Sequence, residues 1–217
     1  MRRNSYVLRL GLNQPWQSNY FPVKGKEAYL LQQDWLIRKY LFSHFPEITQ
    51  IKIERTEAEL FVFVYSPNIG LITGENDDNS DQVLTKIVNI VNEKKITTKL
   101  HLIEENSSAQ AIANDLARKL ESRIAWNSLR HDLLKKITNK REIRGIKIRV
   151  KGCLEKGRIA ERKSISKDRM PSNTLDSSIK EGQAEANTKY GQIGIIVKIY
   201  KGKEKKLKYV DINTKKN

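Results

Sequence analysis

The last strand-like segment of the chain carries its most restrictive pattern, a strict two-residue alternation. Every second residue from Ile193 to Ile199 is a branched aliphatic, and glycine, isoleucine and lysine stand between them. This alternation is typical of a strand with one buried face. Because a single strand cannot bury that face alone, the pattern requires a sheet with a layer packed on it. We expect the strand to stop at residues 201–203.

The residues before this strand predict an extended run, then a short helix, then a turn. Pro171 begins an extended run, and Gly182 interrupts it. Residues 183–189 contain alanines and no helix breaker, so we predict about two turns of helix there, which must dock on the sheet because so short a helix is unstable alone. Residues 190–194 hold two glycines and predict a turn.

Hydrophobic periodicity predicts the remaining elements. Residues 27–45, 82–91, 112–124 and 129–137 have helical spacing, while 50–55, 60–65, 98–102 and 146–150 have strand patterns. Residues 67–80 are predicted to be a loop, and 157–169 a basic hairpin. The fold class is therefore α+β. We divide the chain into an arm (1–26), a first domain (27–104), a two-layer α/β domain (105–202) and a lysine-rich tail (203–217).

The positive charge is concentrated in the second half of the chain. The total is 41 Lys and Arg against 25 Asp and Glu, a net charge of +16. Residues 1–104 hold 13 basic and 12 acidic residues, so residues 105–217 hold 28 and 13. A surface of this kind suits a polyanion, and a solvated basic face is the alternative.

The densest run of cations lies in residues 135–169, which hold 14 Lys and Arg against 4 Asp and Glu. A strand and hairpin that share one surface would let them neutralise phosphates of structured RNA, recognised by its shape and backbone. We therefore predict that affinity for RNA resides in residues 105–217. The predicted RNA-binding residues are Lys135, Lys136, Arg144, Lys147, Arg149, Lys151, Arg158, Arg162, Lys163, Lys167 and Arg169.

Residue types that carry catalysis are sparse. His44, His101 and His131 stand on different predicted elements, with no nucleophile motif, phosphate-binding loop or metal-ligand spacing around them. The single Cys153 excludes an intramolecular disulfide and a cysteine-rich zinc site. We expect no enzyme, no metal and no cofactor. No apolar run is long enough to span a membrane, and we expect neither a secretory signal nor a membrane partner.

The order helix, strand, strand, helix, strand in residues 27–104 resembles a type II KH domain, an RNA-binding fold. Such domains clamp phosphates with a Gly-x-x-Gly loop. The matching residues are Gly74, Glu75, Asn76 and Asp77. The second glycine is absent and carboxylates repel phosphate, so we expect the fold without the clamp, and a flexible acidic loop there.

Motifs along the chain resemble the ribosomal protein S-three family of the small ribosomal subunit, in its bacterial and organellar form. The most specific is Glu-Ala-x-Thr-x-Tyr-Gly-x-Ile-Gly at 185–194, after Arg169, Pro171 and Thr-Leu at 174–175. Others are Leu-Arg-Leu-Gly at 8–11, Asp-x-x-Ile-Arg at 34–38, Ile-Glu-Arg at 53–55, Gly-Ile-Lys at 145–147 and Gly152. The resemblance implies a structural protein that binds rRNA in the subunit head near the mRNA entrance, with small-subunit proteins ten and fourteen as neighbours.

Two departures from the family pattern stand out. Family members carry two arginines and a lysine lining the mRNA entrance, where this chain has Asn127, Ser128 and His131. Cys153 replaces an arginine. With the absence of a presequence and the frequent use of Lys, Asn and Ile, these departures indicate an organelle-encoded protein, mitochondrial rather than plastid. A free-standing KH-type RNA-binding regulator is the alternative function, and the acidic loop argues against it.

Overall fold

The computed structural model describes residues 5–74, 78–91, 96–105, 107–138, 142–154 and 159–203. The predictions made for Glu75, Asn76, Asp77, Arg158 and the tail from residue 204 fall outside these residues. The side chains of Lys135 and Lys136 fall outside them as well. The described residues form a mixed α and β fold with two four-stranded sheets, one in each half of the chain.

The first sheet has the order β1-β2-β3-β4. Strand β1 runs parallel to β2, β2 is antiparallel to β3, and β3 is parallel to β4. The helices α1, α2 and α3 complete this half. The bounds are β1 Ser18–Asn19, α1 Glu27–His44, β2 Gln50–Arg55, β3 Glu59–Ser66, α2 Gly70–Thr73, α3 Asp78–Val91 and β4 Thr97–Glu104.

One face of the first sheet is packed under helices, and no helix among the described residues covers the other, which we call the open face. The packed face carries the alternating aliphatic residues of β2 and β3, which form one core with α1 and α3. The open face carries Phe61, Phe63 and His101, whose rings stack side by side with centroids 5.1–6.4 Å apart. Such a division is expected for a sheet with helices on one side only.

The second sheet is fully antiparallel, with the order β6-β5-β8-β7. Helix α4 lies across β7 and β8, and α5 contributes the buried side chains of Trp126, Leu129 and Leu133 to the same core. The bounds are α4 Ala109–Glu121, α5 Trp126–Thr138, β5 Gly145–Gly152, β6 Glu161–Asp168, β7 Ser177–Thr188 and β8 Gly191–Lys203.

The predicted helix at residues 183–189 is wrong. Strand β7 runs through Gly182 to Thr188 and pairs with β8 along this length, so Gly182 does not interrupt it. Gly182 lies under the first turn of α4, where a Cβ atom would sit 2.3 Å from the carbonyl oxygen of Ala109. Because α4 already covers this face, a second helix has no place there.

Other predicted boundaries also differ from the structure. The loop predicted at residues 67–80 contains α2, and α3 begins at Asp78 rather than at residue 82. Helix α4 ends at Glu121, so Ile124 lies beyond it and is 42% exposed. The turn predicted at 190–194 shortens to the two residues between β7 and β8, and β8 continues to Lys203. The helix predicted at 27–45 and the strand at 50–55 are confirmed.

The amino-terminal arm packs against both halves of the chain. Its 3₁₀ turn, Val7–Arg9, presents Arg9 to the start of β7, and only 1% of Arg9 is exposed. The guanidinium donates hydrogen bonds to the carbonyl oxygens of Thr174 and Ser177 at 2.8 Å and of Ser172 at 3.2 Å. Further along, β1 joins the first sheet. The arm therefore ties the two halves together.

Candidate nucleic-acid interface

Strand β5 separates aliphatic from basic side chains. Ile146, Ile148 and Val150 are at most 1% exposed and face the helices. The residues between them are Lys147, Arg149 and Lys151, which point to the other side because successive side chains alternate across a strand. The predicted placement of three cations on one face is confirmed.

Strand β6 extends this surface. In its antiparallel register, Arg162 lies opposite Lys151, Ser164 opposite Arg149 and Ser166 opposite Lys147. Residues directly opposite in an antiparallel pair share a face. We call the surface formed by Lys147, Arg149, Lys151, Arg162, Ser164 and Ser166 the basic face. The two serines add hydroxyl donors that the sequence analysis did not include, because only the register places them here.

The four cations of the basic face have no acidic partner within the described part of the chain. Their charges therefore remain available to an external anion. Two adjacent strands bring them together, and paired side chains in a sheet lie about 5 Å apart. This spacing suits neighbouring phosphates of a nucleic-acid backbone, and the guanidinium groups can bind a phosphate with two hydrogen bonds.

The arm closes the other half of the same sheet surface. Lys198, opposite Lys147 on β8, pairs with Glu181 at 3.1 Å, and Ser5 of the arm donates its backbone N–H to that carboxylate at 3.1 Å. Burial alone would raise the pKa of Glu181, but the hydrogen bonds from Ser5 and Lys198 outweigh it, and the pKa lies below its usual value. The anionic Glu181 neutralises Lys198, so the basic face is confined to β5 and β6.

The structure separates several predicted RNA-binding residues from the basic face. Lys163 and Lys167 lie opposite Val150 and Ile146, so they share the side of the sheet that carries the helices. The prediction that the whole hairpin presents its cations on one surface is therefore wrong for these two. Arg144 and Arg169 are exposed next to the start of β5, at the edge of the basic face.

The described residues contain neither a candidate metal site nor a candidate membrane-spanning helix. Within the ranges given above, no group of three or more His, Cys, Asp or Glu side chains is placed to hold a metal ion. Among the helices in those ranges, none combines the length and the apolar character needed to cross a membrane.

Comparisons with known proteins assign the family. Residues 116–199 match the family profile "Ribosomal protein S3, C-terminal domain". A protein of Campylobacter hominis named "Small ribosomal subunit protein uS3" is 35% identical over 204 residues, covering 92% of this chain and 87% of that protein. The chain belongs to the ribosomal protein uS3 family. Proteins of the same name from Nitratiruptor sp. and Desulfatibacillum aliphaticivorans are 32% and 30% identical, each over 92% of this chain and 87% and 91% of theirs.

Helix α5 carries the three positions at which the family resemblance implies cations. Asn127, Ser128 and His131 are all exposed, on the side of α5 away from the buried Trp126 and Leu129. Arg130 is exposed next to them. The three positions form one surface patch, separate from the basic face, and none of them carries a permanent positive charge.

In this uS3-family chain, the degenerate Gly-x-x-Gly segment begins between α2 and α3. Gly74 ends α2 with φ +78°, and a Cβ atom there would lie 2.8 Å from the side-chain nitrogen of Asn79. The backbone conformation at Gly74 therefore favours glycine. The flexible acidic loop expected here, without a phosphate clamp, continues into residues 75–77, which lie outside the described residues.

Proposed function

We propose that this chain is a structural constituent of the small ribosomal subunit and that its basic face binds small-subunit rRNA. The supporting observation is the group of four cations on β5 and β6, which have no acidic partner within the described residues, while Asp168, opposite Gly145, stands at the edge of that face. A rigid antiparallel sheet holds these charges at fixed spacing, which favours recognition of RNA by shape and backbone. Family membership supports the assignment to a small subunit.

The proposal places the protein in the subunit head near the mRNA entrance, with small-subunit proteins ten and fourteen as neighbours and mRNA as a transient partner. The first half is proposed to be a KH-like module that serves as a scaffold, because the order α1-β2-β3-α2-α3-β4 suits that fold. Its Gly-x-x-Gly loop is degenerate, so phosphate clamping is not part of its proposed role.

A mitochondrial ribosome is the proposed location, with a plastid ribosome as the alternative. The relatives described above are bacterial, as expected for the ancestry of both organelles. The support for an organelle is the loss of cations at Asn127, Ser128 and His131 together with the frequent use of Lys, Asn and Ile.

The proposed function is tested by sedimentation of the full-length, epitope-tagged chain in its native compartment. We expect the chain to travel with small subunits through a gradient at high salt, because a structural constituent is also held by packing against neighbouring proteins, which salt weakens less than phosphate contacts. Recovery mainly in the free fractions at the top of the gradient would contradict a structural role and favour a free-standing RNA-binding regulator.

A second prediction concerns the surface patch on α5 and the translation of structured mRNA. The triple variant Asn127→Arg, Ser128→Arg and His131→Lys should raise translation through a stable mRNA hairpin relative to an unstructured message. Two unit charges about 4 Å apart in water interact by about 1 kcal/mol, and salt and distance reduce this for exposed side chains. We therefore expect a total gain of roughly 0.4–1 kcal/mol from the three cations, which is an increase of roughly two- to fivefold. The measurement is the ratio of the two reporter yields in ribosomes that carry the variant.

A matched control adds the same charge elsewhere. Gln82, Thr85 and Asn89 are exposed on α3, and the substitutions Gln82→Arg, Thr85→Lys and Asn89→Arg should leave the ratio unchanged. If the α5 variant also leaves it unchanged, these three positions do not face the message.

A further inference from the structure

Helix α1 is apolar on two opposite sides. The inner side packs Ile37 and Leu41, both fully buried, against the first sheet. The outer side exposes Leu31, Trp35 and Phe42, which are 62%, 56% and 45% exposed. A helix that is hydrophobic all round is normally buried on all sides. The outer side of α1 therefore lacks a partner within the described chain.

The exposed residues form one continuous stripe. Positions 31, 35 and 42 fall on the same side of a helix because they are separated by four and seven residues. With a rise of about 1.5 Å per residue, the stripe is roughly 16 Å long, or three turns. We define it as the α1 stripe, formed by Leu31, Trp35 and Phe42.

Basic groups surround the α1 stripe. The ammonium group of Lys39 lies 4.9 Å from the centre of the Trp35 ring, and Lys24 and Lys26 are exposed just before the helix. Glu27, in the first turn, is the exposed acid of α1. The surroundings of the stripe therefore carry a net positive charge, which favours an acidic partner.

We propose that the α1 stripe is a docking site for an amphipathic helix of a neighbouring protein, with apolar anchors at one-turn spacing and acidic residues at its flanks. A straight apolar row three turns long fits a helix packed alongside α1. The proposal rests on the proposed function, because the neighbour is expected within the small subunit.

Other occupants fit the stripe less well. Leu31 and Phe42 offer no hydrogen bond to a phosphate, and residues 1–104 have a net charge of only +1, so RNA gains little there. A second copy of this chain would bring Lys39 and its neighbours against the same lysines, and like charges across a symmetric contact repel.

The test uses the full chain in purified, salt-washed small subunits. Trp35 is replaced by the photo-reactive aromatic p-benzoylphenylalanine, and cross-linked peptides are sequenced by mass spectrometry. We expect one cross-linked protein segment with a net negative charge and with Leu, Ile, Val or Phe at positions i, i+4 and i+7. The added changes Leu31→Gln and Phe42→Gln should lower its yield at least about tenfold, because they remove two anchors of the contact.

The control replaces two exposed apolar residues that lie outside the α1 stripe. Leu71 and Val88 are also exposed apolar residues, 58% and 46% exposed on α2 and α3, and Leu71→Gln with Val88→Gln should leave the cross-link yield unchanged. Cross-links to rRNA, to a second copy or to lipid, or no cross-link at all, would overturn the proposal. Failure of the chain to enter the subunits would instead contradict the proposed function.

Discussion

Gly182→Ala is expected to destabilise the protein by about 3 kcal/mol, although it adds a single methyl group. The new Cβ atom would lie 2.3 Å from the carbonyl oxygen of Ala109 and 2.5 Å from the backbone nitrogen of Gln110. These are backbone atoms of the first turn of α4, which cannot move aside as a side chain can. Overpacking of this kind typically costs 1–3 kcal/mol and more when the backbone must shift.

The expected stability loss corresponds to a fall in the melting temperature of roughly 6–12 °C for a chain of this size, measured by circular dichroism. The matched control is Gly194→Ala on the neighbouring strand β8, where the nearest such atom would be 4.0 Å away. That variant should melt at or slightly above the temperature of the unmodified protein, because alanine also reduces the freedom of the unfolded chain. Equal melting temperatures for both variants would contradict the close packing of α4 on β7.

The second large effect is expected at the basic face. The triple variant Lys147→Gln, Arg149→Gln and Arg162→Gln should weaken binding to small-subunit rRNA about 100-fold at roughly 0.1 M salt, since each lost phosphate contact costs somewhat less than one log unit. All three side chains lie on the open side of the sheet, so the melting temperature should stay within about 1–2 °C. A filter-binding titration with the full-length protein measures the affinity.

The control removes the same charge from the first half of the chain. Lys24, Lys86 and Lys99 are exposed there, and Lys24→Gln, Lys86→Gln and Lys99→Gln also reduce the net charge by three. Because these residues lie outside the basic face, the loss of affinity should be much smaller. A comparable loss in both variants would show that only the total charge matters.

Local alternation made the basic strand and the last strand predictable from the sequence. In β5 and β8 the aliphatic residues recur at every second position, so burial and pairing agree with the local pattern. Strand β7 could not be recognised in this way, because its alanines and glutamates suit a helix as well as a strand. The residues at 182, 184 and 186 are small because α4 packs closely over them. That contact joins distant parts of the sequence, so the local pattern does not reveal it.

The placement of the arm and of the hairpin cations also depends on distant partners. Arg9 binds backbone carbonyls more than 160 residues away. Every residue has a backbone carbonyl, so the sequence does not indicate which of them Arg9 will bind. For Lys163 and Lys167, the side of the sheet follows from the register between β5 and β6. A shift of one residue would have moved them onto the basic face, and the number of intervening residues alone does not fix that register.

Salt dependence is the most direct test that the basic face neutralises rRNA phosphates. The logarithm of the binding constant of the full-length chain is measured against the logarithm of the salt concentration for the unmodified protein and both triple variants. We expect the slope to fall in magnitude by about 2–3 for the Lys147, Arg149 and Arg162 variant, roughly 0.7–0.9 per lost contact, and hardly to change for the control. An unchanged slope for that variant, or an equal fall in both, would contradict it.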